Sequence, residues 1–559
     1  APSMSCFSIS IRAAFVLFLM GVVAAPAGAA SETKASFAAL DAFQAQSTKP
    51  IFIEGALVVH DLRQWVKSWD YRREQLGAFN LGRAYYESQD AQGGIFFQRE
   101  LEALLELASP ELPSVPGAVV VFADQTMVPQ FQAILHVGPG WRKRWESVQG
   151  SAVFKELGVS IDEKGIRIER PNFYAVGAVA EQGWLRLAPN PNSLKGGLHA
   201  GPIFSEKMAS WVAGVEGTVF IRRGMMFQTL VLPFISNEHL GGLMQGFQGA
   251  ALTWETGSSA SSRYKFLLDV DGLEGMQPLL KKNPLSNPLV KIWDEDATDF
   301  ASLSLPPPLL DLIRGIAANY LGQAAGMQTG LIRQSLADFS GRAGIVHFGS
   351  PKDWVFGLRF DSIAGASDFV QGIYDYGAAN LIRNGKQPKE QLVMEQGPTA
   401  QGKTLLIRAN KALEGVRLAN LGESVVFVPQ KSRLDKLRRS QMDATKAAEV
   451  YQSLLNGPIL PRVREVIERP AILTGYSVLS APGMLWDVGK WLLGGLDGFA
   501  TQLATQVKVD SLRKFVSSDQ GLASQFALAE LILLLTYDCG FMVDVDGSVF
   551  VAQLVVSDI

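Results

Sequence analysis

Short apolar runs broken by turn residues fill most of this chain, and they recur in the same order twice. The run Val115-Pro-Gly-Ala-Val-Val-Val-Phe122 reads as a buried strand, and it returns as Gly341-Arg-Ala-Gly-Ile-Val-His-Phe348. A second apolar strand follows each, Phe131 to Val137 or Val355 to Phe360. Then come Trp141 to Leu157 and Ala366 to Asn384, whose apolar residues fall at mixed three and four spacing and predict helices lying across a sheet. A polar hairpin leads to a last strand, from Trp184 in one copy and from Val425 in the other, ending in Asn190-Pro-Asn-Ser193 or Pro429-Gln-Lys-Ser432. Those endings read as helix starts with serine as the cap.

Both copies also open alike. Ile51 to Val59 is a strand, and Asp61 starts a helix that places Leu62, Trp65, Val66 and Trp69 at helical spacing. Ala301 to Leu305 is the second copy's strand, three prolines break it, and Leu309 to Tyr320 is its helix. A further helix follows in each, Phe96 to Leu107 and Gly330 to Phe339, and Gly117 and Gly344 are expected to turn the chain into the sheet. Later echoes keep the order. Thr218 to Ile221 matches Ile472 to Leu479, and Gly241 to Phe247 matches Gly494 to Phe499. Ala251 to Glu255 with Phe266 to Gly272 matches Leu534 to Asp538 with Phe541 to Gly547.

The expected fold class is therefore α+β. Two tandem related units are each a mainly antiparallel sheet with helices packed on one face, arranged about a pseudo-twofold axis. The expected boundaries are a signal peptide over residues 1–30, a tether over 31–50, a first unit over 51–273, a linker over 274–300 and a second unit over 301–559. Prolines, Lys281-Lys282 and the acidic run Asp294-Glu-Asp296 mark that linker.

Composition narrows the function. A chain of 559 residues exceeds one core, and a net charge of -3 with 19% charged residues gives no basic face for nucleic acid. If synthesis starts at Met4, Arg12 precedes the apolar run Ala13 to Ala25, Pro26 breaks it, and Ala27-Gly28-Ala29 suits signal peptidase. This predicts export to the periplasm or beyond, with an uncleaved membrane anchor as the alternative. Cleavage would remove Cys6 and leave Cys539 without a disulfide partner.

No stretch assigns a catalytic, cofactor-binding or metal-binding residue. Gly397-Pro-Thr-Ala-Gln-Gly-Lys-Thr404 fits the phosphate-loop pattern, but Leu405 to Arg408 reads as a strand where that loop needs a helix, so a hairpin and no nucleotide are expected. The same hairpin is read at Ile161 to Ile168. The histidines His60, His136, His199, His239 and His347 lack metal spacing. Asp269-Val-Asp-Gly272 and Asp544-Val-Asp-Gly547 lack the later ligands of a calcium loop and read as tight turns. Ala527 to Val543 is too short and too charged for a span, and Met484 to Phe499 is a poor partner for anionic lipid.

The recurring grammar is Pro-Gly before an apolar strand, a second strand with a helix, then a strand ending in Pro and a short Ser-Leu helix start. It resembles a group of uncharacterised bacterial exported proteins. That resemblance implies export and a duplicated α+β fold, and it supplies no active-site residue. The expected function is a noncatalytic binding or scaffold module acting on another envelope protein or a cell-surface component. A hydrolase with a site assembled from distant residues and a carrier of an apolar ligand are the alternatives.

Overall fold

A computed structural model describes residues 37–45, 49–67, 97–123, 129–156, 158–162, 165–170, 173–179, 182–199, 201–224, 246–256, 261–273, 299–307, 310, 311, 314, 315, 330–348, 353–396, 402–408, 415–440, 466, 471–478 and 538–557. The leader expected at residues 1–30, most of the linker, and the stretch Met484 to Phe499 lie outside them. The chain is α+β, and its described residues divide into two compact units, one up to Gly272 and the other from Leu273 onward.

In the first unit α1 (Ala38–Gln44) precedes β1 (Pro50–Val59), and helical residues 62–67 and α2 (Phe97–Glu106) lead to β2 (Gly117–Ala123) and β3 (Pro129–His136). After α3 (Trp141–Val148) and α4 (Ala152–Glu156) comes an antiparallel meander, β4 (Val159–Asp162), β5 (Gly165–Arg170), β6 (Phe173–Val179) and β7 (Trp184–Ala188). A 3-10 turn, Pro191–Leu194, and the two-residue β8 (Leu198–His199) precede α5 (Glu206–Val212), β9 (Gly217–Arg222), β10 (Phe247–Thr256) and β11 (Ser261–Val270). Pairing sets the order β4-β5-β6-β7-β3-β2-β1-β9-β10-β11, antiparallel throughout.

The second unit contains β12 (Asp299–Ser304), α6 (Gly330–Ala337), β13 (Phe339–His347), β14 (Trp354–Phe360), α7 (Ile363–Arg383) and α8 (Pro388–Gln391). Then follow β15 (Leu392–Gln396), β16 (Lys403–Ile407), β17 (Val416–Leu421), β18 (Ser424–Val428), α9 (Lys431–Ser440), β19 (Leu473–Val478), β20 (Asp538–Asp546) and β21 (Val549–Ser557). Its order is β15-β16-β17-β18-β14-β13-β12-β19-β20-β21, which retraces the first unit strand for strand. No helix among the described residues is long and apolar enough to cross a membrane.

Each core lies where helices cover a sheet face. In the first unit Leu57, Leu135 and Leu185 meet Trp65, Leu104 and Phe154, and Trp145 packs edge-on to Phe154 with ring centroids 5.2 Å apart. In the second, Phe360, Leu405, Leu418 and Val425 meet Phe369 and Val370 of α7. Ser362 caps α7 by accepting from Gly365 N at 2.9 Å, which fixes where the helix leaves the sheet.

Several expectations change in detail. The first unit is covered on both faces: Phe43 of α1, inside the expected tether, lies 5.0 Å from Phe122, a residue on the opposite face from Val119 and the main core. Strand side chains alternate, so Ala118, Val120 and Phe122 form that second apolar face and demand a second cover. The helix read over Trp141 to Leu157 breaks at Gly150, and Ser151 restarts it by accepting from Phe154 N. The cap before Pro191 is Asn190, which accepts from Ser193 N at 3.0 Å, so Ser193 is not the cap. Ser432 lies inside α9 and does not precede it.

Glycine also acts elsewhere than expected. Gly341, with φ +77°, takes the left-handed turn beside the β13 irregularity, and Gly117 instead leaves room for Leu62. Phe266 to Gly272 lies on and just after β11, whereas Phe541 to Gly547 lies on and just after β20, the counterpart of β10. That echo is therefore displaced by one strand, whereas Thr218 to Ile221 lies on β9 and Leu473 to Val478 forms β19, strands that hold the same place in the two pairing orders.

Thr218 and Thr253 face each other across β9 and β10, fully buried, and among the described residues their hydroxyls have no hydrogen-bond partner. Burying an unpaired hydroxyl opposes folding, so Thr218→Val and Thr253→Val are expected to leave stability unchanged or raise it by about 1 kcal/mol in urea unfolding.

Candidate functional site

The densest buried polar chemistry in the described residues gathers at the start of β1. A bulge between Ile53 and Gly55 shifts the register against β2, and Glu54 at the bulge is 1% exposed. The segment after β7 crosses to this point, and Leu198 and His199 pair in parallel with Pro50 and Ile51. Gly197 makes that approach possible, because a Cβ there would stand 2.5 Å from Ile51 Cγ2.

His199 is 4% exposed and is met by donors on two sides. Ile53 N–H donates to its Nδ1 at 3.1 Å, and Arg222 at the end of β9 reaches Nε2. Phe52 stacks edge-on to the imidazole at 5.3 Å between centroids, and the Arg222 guanidinium lies over the same phenyl ring at 5.2 Å. A neutral imidazole carries one lone pair and one N–H, so it accepts from one of these donors, and a second proton would add charge beside the Arg222 cation. Burial, followed by the Arg222 charge, lowers its pKa to about 4, against a smaller opposite pull from the Ile51 backbone. Burial likewise pushes Arg222 below the usual arginine range.

The other sequence candidates fall apart in space or into structural roles. His136 Nε2 meets Gln182 O at 3.3 Å beside Trp184, His60 follows β1, and His347 ends β13. His239 lies outside the described residues. Among the described residues no three His, Cys, Asp or Glu side chains gather as a metal cluster. Asp271 accepts from Gln248 Nε2 at 2.5 Å, and Gly272 and Gly547 take the positive φ of tight turns. Cys539 lies in β20 opposite Ser477 and Val556.

The phosphate-loop match is resolved by its end. Lys403–Ile407 is a strand paired antiparallel with both β15 and β17, although 397–401 lie outside the described residues. Thr404 is 1% exposed and its hydroxyl accepts from Arg438 at 2.6 Å, while Lys403 reaches Gln371 at 3.3 Å. The threonine that would hold Mg²⁺ is thus turned into a core. The hairpin at Ile161 to Ile168 is present as β4 and β5.

Sequence reasoning missed the arginines. Arg63 and Arg144 converge on the end of α2, donating to Ser109 O and Leu107 O, each at 2.6 Å. Arg314 does the same beyond α6, donating to Ala337 O at 2.7 Å and Phe339 O at 2.5 Å. Cations there satisfy carbonyls left over by the helix and oppose its dipole. Arg433 forms a bidentate pair with Asp353 at 2.6 and 3.2 Å and lies 3.6 Å over Phe348. Single arginines in a polar stretch carry no periodic signal, so only the fold reveals them.

Comparison with known protein families, with curated proteins and with solved structures found no match.

Three outcomes are expected. Because His199 has a lower pKa folded, about 4, than its ordinary 6.5, the unfolded chain binds more protons between those values. Its contribution is full above pH 6.5 and is lost as the pH falls toward 4, by about 2–3 kcal/mol, and urea unfolding of His199→Gln should lack that part of the slope. Lys403→Ala should change stability by no more than about 0.5 kcal/mol, with no shift in melting temperature on adding ATP and Mg²⁺. Asp353→Ala strands a buried guanidinium and should cost about 3 kcal/mol in the same unfolding assay.

Proposed function

We propose that this chain is an exported bacterial envelope protein, a noncatalytic binding or scaffold module built from two copies of one α+β unit. The common strand order supports the duplication, as do the paired sequence runs on β2 and β13. Arg63 and Arg314 also fill one role, each binding the carbonyls beyond the helix that precedes its unit's second strand. The leader-like pattern around Ala13 to Ala29 supports export to the periplasm or beyond.

The observation that carries the noncatalytic reading is the commitment of buried charge. Lys265 binds Glu255 at 2.5 Å, Arg433 binds Asp353, and Glu54 and Asp269 also have partners within the protein. His199, the one buried histidine among the described residues, is held neutral between donors. A general acid or base needs a proton path to a substrate, and these groups are spent on the fold. What remains is broad surface on two sheets, which suits another envelope protein or a cell-surface component as partner.

Two experiments test this. Crosslinking in intact envelopes followed by pull-down should return one recurrent protein or surface polymer, and recovery of the chain alone would overturn the binding reading. A periplasm-dependent reporter fused after Ser557 should be active, and an inactive fusion would overturn export.

A further inference from the structure

The segment from Asn190 to His199 lies across the second face of the first unit as a strap. The Pro191–Leu194 turn contacts β3, β6 and β7, where Gln132 Nε2 donates to Ser193 O at 2.8 Å. Leu198 N donates to Lys49 O at 2.9 Å, and the parallel ladder with β1 spans two residue pairs. By contrast, β1 is paired to β2 and β9 along its length beyond the bulge, so the sheet does not depend on the strap. The last hold is His199, wedged between Ile53 N–H and Arg222.

We propose that this strap is an acid-operated latch: protonation of His199 releases residues 190–199 from the start of β1 and uncovers Phe52 and Glu54, with the sheet left intact. The geometry dictates the direction. A neutral imidazole accepts through one nitrogen, here Nδ1 from Ile53 N–H, so a proton gained there removes that hold and sets an imidazolium against the Arg222 guanidinium. The charged or titratable groups on the elements meeting the strap are Arg222 of β9, Arg186 of β7, His136 of β3, Lys49 and Glu54 around β1, and Lys195 on the strap itself. Four of these are cations, so a new positive charge at His199 meets net repulsion, and among the described residues of these elements Glu54 is the acid that opposes release. A freed strap returns the ring to water and to its ordinary protonation range, so acid favours the open state.

The test is native-state hydrogen exchange of the full chain at pH 7 and pH 4.5, corrected for the intrinsic pH dependence of exchange. With folded and free values of about 4 and 6.5, opening of the strap should increase about fifty-fold between those pH values. Amides of 190–199 should speed up by that factor and remain less protected than those of β2, which exchange only through global unfolding. His199→Gln should abolish the response, and His199→Asn, whose side-chain oxygen can still accept from Ile53 N–H, serves as a second variant with the same expectation. Protection in 190–199 as high as in β2 at both pH values would mean that the strap opens only with global unfolding and overturn the latch. A rise that persists in both variants would assign the response to a group other than His199 and overturn it too, as would no rise at all.

Discussion

Backbone hydrogen bonding to the first strand of each unit is the constraint on which the rest depends. β1 pairs on one side with β2 and on the other with β9, and β12 stands likewise between β13 and β19. A strand in the middle of a sheet must satisfy its N–H and C=O groups on both flanks, and β1 is in addition buried along almost its whole length. With that go the apolar run Ala56 to Val59, the helices over one face, and in the first unit α1 and the strap over the other.

The same demand accounts for how charge is used. Loops that carry the chain back toward the central strand leave helix ends inside the unit, and their carbonyls need donors. Arg63, Arg144 and Arg314 supply them, several bonds from each guanidinium, where a lysine would offer a point charge and no fork. Arg433 joins α9 to the entry of β14 through an ion pair, and Gln132 of β3 holds the Pro191–Leu194 turn through its side-chain amide.

Periodicity made the strands legible. Runs such as Val115 to Phe122 and Leu405 to Arg408 alternate or stay apolar long enough to define a strand, and the hairpin reading of Gly397 to Thr404 followed from what came next in the chain. The shifted echo shows the limit of that signal. An apolar strand ending in Asp-Gly looks alike whether it is the first or second arm of a hairpin, so Phe266 to Gly272 and Phe541 to Gly547 matched in letters and not in position. The site was not legible at all. Lys195-Gly-Gly-Leu-His199 has two glycines and no period, and its strand exists only because β1 offers a free stretch of backbone beside it.

The central place of β1 has a consequence for synthesis. It emerges from the ribosome as residues 50–59, but its flank β9 follows only at 217–222. At translation rates of about 5–20 residues per second, that edge waits on the order of ten seconds or more for its partner. Until then that flank has at most its two residue pairs with β8, and the nascent chain presents an apolar, largely unpaired backbone edge to every other chain nearby.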